Sequence, residues 1–144
     1  MSGMNSASSS KVPSRAEEQL ARWGKARRLL RHADFQRVYQ NGRRQFTGNM
    51  TVFFLRRRAE AAGGPGPRVG LTVGKVLGGA VERNRIKRRM REAVRLSPAC
   101  VGPVDIVFNP RKSVLKLPFA ELLSEVSRGL RLAEQRARVA EAEK

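Results

Sequence analysis

Residues 81–96 read VERNRIKRRMREAVRL. Wound as an α-helix, this stretch places Ile86, Met90, Ala93 and Val94 on one arc of roughly 100°. The rest of the circumference carries Arg83, Arg85, Lys87, Arg88, Arg89, Arg91 and Arg95, with Glu92 as the one acid in residues 83–95. The pattern predicts an amphipathic helix that lays a narrow apolar seam on a core and turns its cations outward. Asn84, Arg88, Arg91 and Arg95, at i, i+4, i+7 and i+11, share one stripe of that outer surface. Arginine at this density, with so little acid to balance it, points to a polyanionic partner rather than to a merely solvated face.

Working outward, the segments on either side supply the core that the seam needs. Residues 68–75 (RVGLTVGK) predict a strand, and residues 50–55 (MTVFFL) another. AAGGPGP at 61–67 breaks regular structure between them. That spacing suggests that the two strands pair antiparallel. Gln45 and Phe46 begin an earlier strand segment. Phe35, Val38 and Tyr39, spaced i, i+3, i+4 and followed by Asn41-Gly42, predict a short helix with a glycine C-cap. Beyond a loop at 97–103, VDIVF at 104–108 predicts a strand stopped by Pro110. Pro118 suits the first turn of a last helix, in which Phe119, Leu122, Leu123, Val126, Leu130 and Ala133 keep the helical period. Residues 1–22 are Ser-rich and predict a disordered tail, with a short helical piece around Glu17–Trp23. The folded domain is expected over 23–135 and a frayed tail over 136–144.

Composition narrows the function. The chain has 144 residues, 30 Lys+Arg against 12 Asp+Glu, and a formal charge of +18. Of those cations 23 are Arg, whose planar fork grips phosphate bidentately and stacks on bases. The excess is local: residues 22–58 hold 11 bases and one acid, Asp34, whereas the last helix balances its charges. One Cys (Cys100) and one His (His32) leave no intrachain disulfide and no Cys/His zinc set. No run of apolar residues approaches the length of a membrane span, and the N-terminus lacks the apolar core of a secretory signal. The glycine-rich stretches lack phosphate-loop spacing. The acids are scattered, although Asp34, Glu82, Glu92 and Asp105 could gather in space. Binding of nucleic acid is therefore the leading expectation, with Phe35, Tyr39 and either Phe53 or Phe54 available as core or as stacking surfaces for single-stranded RNA.

Residues 73–95 (VGKVLGGAVERNRIKRRMREAVR) resemble the signature of the bacterial ribonuclease P protein subunit, whose hallmark is an Arg-Asn-Arg stretch in a longer basic helix. Here it is Arg83-Asn84-Arg85, followed by Ile86, Lys87, Arg88, Arg91 and Glu92 at the expected offsets. LRHADFQRVYQNGRR (30–44) resembles the family's first helix, with Phe35 and Tyr39 at its aromatic positions, and DIVFNPR (105–111) its last strand. The resemblance spans roughly residues 25–133. Where the family usually has Ser-Lys-Lys this chain has Gly74-Lys75-Val76, and Gly78-Gly79 replaces Gly-Asn. Only Lys75 is carried over from the first of these motifs.

The resemblance implies an α+β fold: a small α/β sandwich in the order αβββαβα with a left-handed βαβ crossover (ribosomal protein S5 domain 2-like). It implies a subunit of a cytoplasmic ribonucleoprotein that removes the 5′ leader from precursor tRNA. The catalytic Mg²⁺ ions would be held by the RNA subunit and none by this chain. Lys75, Arg83, Asn84, Arg85, Lys87, Arg88, Arg91 and Arg95 would contact ribonuclease P RNA. Phe35, Tyr39 and Phe53 would line a cleft for the leader. No membrane and no obligate protein partner are expected. Three other readings remain open: a general binder of rRNA or structured RNA with no part in cleavage, a metal-dependent nuclease using Asp34 or Asp105, and a DNA-binding helix. The last lacks a helix-turn-helix partner upstream.

Overall fold

The computed structural model describes residues 28–29, 31–57, 66–98 and 102–142, with side chains as far as Arg138. The expected N-terminal tail, the helical piece at 17–23, most of the 61–67 loop and Cys100 lie outside the described residues. The elements are α1 (His32–Asn41), β1 (Arg43–Phe46), β2 (Met50–Arg56), β3 (Arg68–Leu71), α2 (Ala80–Leu96), β4 (Val104–Pro110) and α3 (Phe119–Ala142). Short 3-10 turns at Lys75–Leu77 and Lys112–Leu115 precede α2 and α3. The order is αβββαβα, as the resemblance implies. Helix α3 continues past residue 135, and Ala137 is buried, so packed helix occupies part of the stretch expected to fray.

The four strands lie in the order β1-β2-β4-β3. This corrects one expectation: β2 and β3 do not form a hairpin. Strand β4 lies between them, antiparallel to β2 from Met50↔Pro110 to Arg56↔Val104 and parallel to β3 from Arg68↔Asp105 to Leu71↔Phe108. The physical reason lies in β4 itself. It is buried along nearly all its length, with side chains covered on both faces of the sheet, so it takes an interior position. The parallel pair β3–β4 then needs a crossover, and α2 supplies it. Strand β3 is also shorter than the predicted 68–75. Pairing persists only as far as the Thr72 N–H, which donates to the Phe108 carbonyl at 3.0 Å.

One face of the sheet receives α2 and α3. Ile86, Met90, Ala93 and Val94 of α2 are fully buried, as the wheel predicts. They pack with Leu122, Val126 and Leu130 of α3 and with Met50, Val52, Phe54, Ile106 and Phe108 of the sheet. The other face is covered by α1, through Val38 and the preceding Leu29, against Val107, with Phe35, Tyr39, Phe53 and Leu55 partly buried around them. Two glycines set the fit of α1. Gly42 does cap it, but with φ −86° rather than in the left-handed region. Its role is spatial: a Cβ there would sit 2.5 Å from the carbonyl oxygens of both Val38 and Phe54. At Gly70 a Cβ would sit 2.7 Å from the Phe35 ring.

The turn between β1 and β2 is pinned by α3. Glu125, buried, accepts from the Thr47 hydroxyl, from the Asn49 amide N–H at 2.7 Å and from Asn49 Nδ2 at 2.8 Å. Burial works to raise the Glu125 pKa. The donors from Asn49 and Thr47, with Arg128 nearby, outweigh it and hold the carboxyl below its usual range. The Asn49 carbonyl in turn accepts from the Arg111 N–H at 2.9 Å.

Candidate RNA interface

The basic surface is built on α2. Glu82 starts the helix by accepting from the Gly79 N–H at 3.0 Å, which satisfies one of the first-turn donors. With the apolar arc committed to the core, the polar stripe is forced outward. Asn84, Arg88, Arg91 and Arg95 are exposed. Together with Lys87 and Glu92 they line one open concavity, and Arg28 closes its other side. Arg28 reaches this position because its segment adds to the sheet edge: residue 28 bridges Val69 in parallel, and the Leu29 N–H donates to the Val69 carbonyl at 3.0 Å. Sequence reasoning did not single out Arg28. Its signal was diluted among the 11 bases of residues 22–58.

The cations of α2 divide by what they touch. Arg95 chelates Glu92, at 3.2 and 2.5 Å. The hydrogen bonds to the carboxylate raise the Arg95 pKa, and the same pairing lowers that of Glu92. The concavity's one acid is thereby paired with one of its own cations. Arg83 Nε folds back to the Gly78 carbonyl at 3.2 Å. Arg89 donates to the Leu117 carbonyl and ties α2 to the approach of α3. Arg85 is exposed but does not line the concavity, and Lys75 is exposed in the turn before α2.

A second grouping lies on the α1 face. Phe35, Tyr39 and Phe53 come together there. The Tyr39 and Phe53 rings meet edge-to-face with centroids 4.9 Å apart. The Tyr39 hydroxyl is 2.6 Å from Thr72 Oγ1 and donates to Asn109 Oδ1 at 3.2 Å, which fixes the ring over the sheet. Thr72 and Asn109 are supporting residues that no sequence pattern marked.

Asp105, fully buried on β4, anchors the other end of α1. Arg37 Nη2 donates to it at 2.7 Å, Arg68 grips it with two bonds of 2.9 Å, and the buried Arg57 donates as well. The bonds to Asp105 are the main reason the Arg68 pKa is raised, against the opposing effect of burial. Asp34 joins the cluster through Arg37 at 3.2 Å and Arg68 at 3.7 Å. Asp34 and Asp105 therefore do gather, but around guanidinium groups. Glu82 and Glu92 lie elsewhere, Glu82 beside Lys112 at 3.8 Å. Among the described residues no three His, Cys, Asp or Glu form a group that could hold a metal ion, and no helix is long and apolar enough to cross a membrane.

The profile of the Ribonuclease P family matches residues 24–134. The chain is similar to the ribonuclease P protein component of Chloroflexus aggregans, 40% identical over 111 residues, covering 76% of this chain and 78% of the relative. It is similar to that of Symbiobacterium thermophilum, 43% identical over 103 residues, covering 71% and 86%. Among solved structures, the Staphylococcus aureus RNase P protein superposes with a TM-score of 0.61 at 28% identity, covering 76% of this chain and 97% of that one. The Thermotoga maritima RNase P protein gives 0.58 at 26% identity, covering 75% and 96%. With the Arg-Asn-Arg helix on its crossover and the aromatic face under its first helix, the chain belongs to the bacterial ribonuclease P protein family.

Proposed function

We propose that this chain serves ribonuclease P as a two-sided RNA clamp. The α2 stripe holds ribonuclease P RNA, and the α1 face holds the single-stranded 5′ leader of precursor tRNA. Membership of the family sets the partnership with ribonuclease P RNA in tRNA 5′ processing. The observation that carries the first half is the convergence of Asn84, Lys87, Arg88, Arg91 and Arg95 with Arg28 on one concavity. Such a surface neutralises closely spaced phosphates and releases their counterions. Lys75, Arg83 and Arg85 extend the same surface around the start of the helix. The second half is supported by three half-buried aromatic rings on one face, the surface that base stacking uses.

In this reading the chain binds and positions RNA. The Mg²⁺ ions of hydrolysis are assigned to the RNA subunit, because the two acids that come together here, Asp34 and Asp105, are already clasped by arginines. The particle works in the cytoplasm and needs no further protein.

Precursor tRNA cleavage at low Mg²⁺ tests the proposal, with the protein alone, a bacterial ribonuclease P RNA alone, and both together. Cleavage by the mixture alone is expected. Cleavage by the protein alone would return catalysis to this chain. Equal binding of unrelated structured RNAs, without stimulation of the ribonuclease P RNA, would make it a general RNA binder.

A further inference from the structure

Phe46 is 61% exposed, unlike the other aromatic residues of the sheet, which are packed in its two apolar clusters. It lies on β1, an edge strand. The register places it opposite Thr51, and places Arg44 opposite Phe53. Residues directly opposite in an antiparallel pair project to the same face. Arg44 and Phe46 therefore stand on the α1 face, beside Phe53 and beyond the cover of α1. The Arg44 guanidinium lies 5.5 Å from the centre of the Phe46 ring, a cation–π arrangement that leaves its donors available to a phosphate. None of the ion pairs among the described residues involves Arg43 or Arg44, and β1 and β2 contain no acid. Packing does not account for a large ring left in water on such a surface.

We infer that Arg44 and Phe46 form an outer stacking platform that takes one further nucleotide of the leader, past the nucleotides held at Tyr39 and Phe53. Phe46 and Phe53 are diagonal neighbours across the strand pair, within reach of successive bases on one extended strand. Arg44 holds the intervening phosphate and, through the ring, orients Phe46. The inference rests on the leader assignment made above and adds to it a site at the sheet edge. It also predicts a length dependence that the inner aromatic residues alone do not impose.

The test uses the reconstituted holoenzyme and precursor tRNAs whose leaders are shortened one nucleotide at a time. Phe46→Ala should weaken binding of long-leader precursors by roughly tenfold and leave the shortest leaders and mature tRNA unchanged. Phe46→Trp should restore the affinity, and Arg44→Gln should give a smaller loss at the same leader lengths. Because Phe46 is exposed, thermal melting of the variants should match the parent protein. Phe53→Ala, measured in parallel, separates the two readings. A loss with Phe53→Ala and none with Phe46→Ala overturns the platform and leaves the cleft. No leader-dependent loss in either variant overturns both. An unchanged leader affinity with a changed particle mass would mark Phe46 as a protein-binding residue, and would also overturn the platform.

Discussion

Under α2 and α3, the sheet buries side chains such as Met50, Val52, Phe108, Ile86 and Leu130, and the charges of α2 point away from it. Under α1, the same sheet buries Asp105 among Arg37, Arg57 and Arg68, and it leaves Phe35, Tyr39 and Phe53 only half covered. The first face is held mainly by apolar area, which has no direction. The second is held at defined points, an ionic cluster at one end of α1 and the Tyr39 hydroxyl at the other, with a thin apolar patch between. The first layer therefore offers a ligand its outer surface, while the second offers the gap between its own parts. A charged surface of the first kind can change residue by residue. A cleft of the second kind depends on the spacing of α1 from the sheet.

The largest effect that would break this contrast is at Asp105. Asp105→Ala leaves the buried Arg57 and the largely buried Arg68 without their common acceptor, and should destabilise the fold by about 3–5 kcal/mol in urea unfolding. An effect below about 1 kcal/mol would show that the α1 face does not rely on its ionic anchor. Phe35→Ala comes next. It should cost the holoenzyme about 1–3 kcal/mol in precursor affinity and leave mature tRNA binding unchanged. Equal losses for both ligands would sink the cleft. On the other side, the double variant Arg88→Gln, Arg91→Gln should weaken binding to ribonuclease P RNA. It should also reduce the log–log salt slope by about 0.7–0.9 for each phosphate no longer neutralised, without changing the preference for precursor over mature tRNA. An unaltered slope would remove those arginines from the RNA interface.

The smallest effect is expected at Glu125, which ties α3 to the β1–β2 turn. Its pKa is lowered in the folded chain, so its contribution is present above the ordinary value of 4.5 and is lost as the pH falls through the folded value. The stability difference between the parent protein and Glu125→Gln should be widest above pH 4.5 and narrow below it. A difference independent of pH would assign the role of Glu125 to hydrogen bonding alone.

Much of the α2 layer was legible in the sequence, because a helix writes its buried face at a fixed period. Ile86, Met90, Ala93 and Val94 were read from spacing and are all fully buried. The sheet was less legible. A four-residue strand such as β3 carries too little pattern to name its neighbour, and proximity in the chain favoured β2 over β4. The Asp105 cluster was invisible for a related reason: its arginines lie 68, 48 and 37 residues away along the chain, and no local rule links them. Gly42 was assigned correctly as a cap, but its necessity comes from the Phe54 carbonyl, which belongs to another element. Arg28 became recognisable only when a backbone bridge at Val69 carried it to the end of the groove.

Strand β4 is the fourth strand in the chain but an inner strand of the sheet, and it pairs residues as far apart as Met50 and Pro110. During synthesis, β1 and β2 can close their hairpin early, while the second edge of β2 and the edge of β3 stay open until β4 emerges. Pairings this distant in sequence are slow to form, because the loop must close before any pairing rewards it. The helix with the highest positive charge is thus made while the strand that completes its core is still missing. The chain passes through an interval in which open strand edges and a half-supported cationic helix coexist, and a newly made copy is most exposed to wrong pairing then.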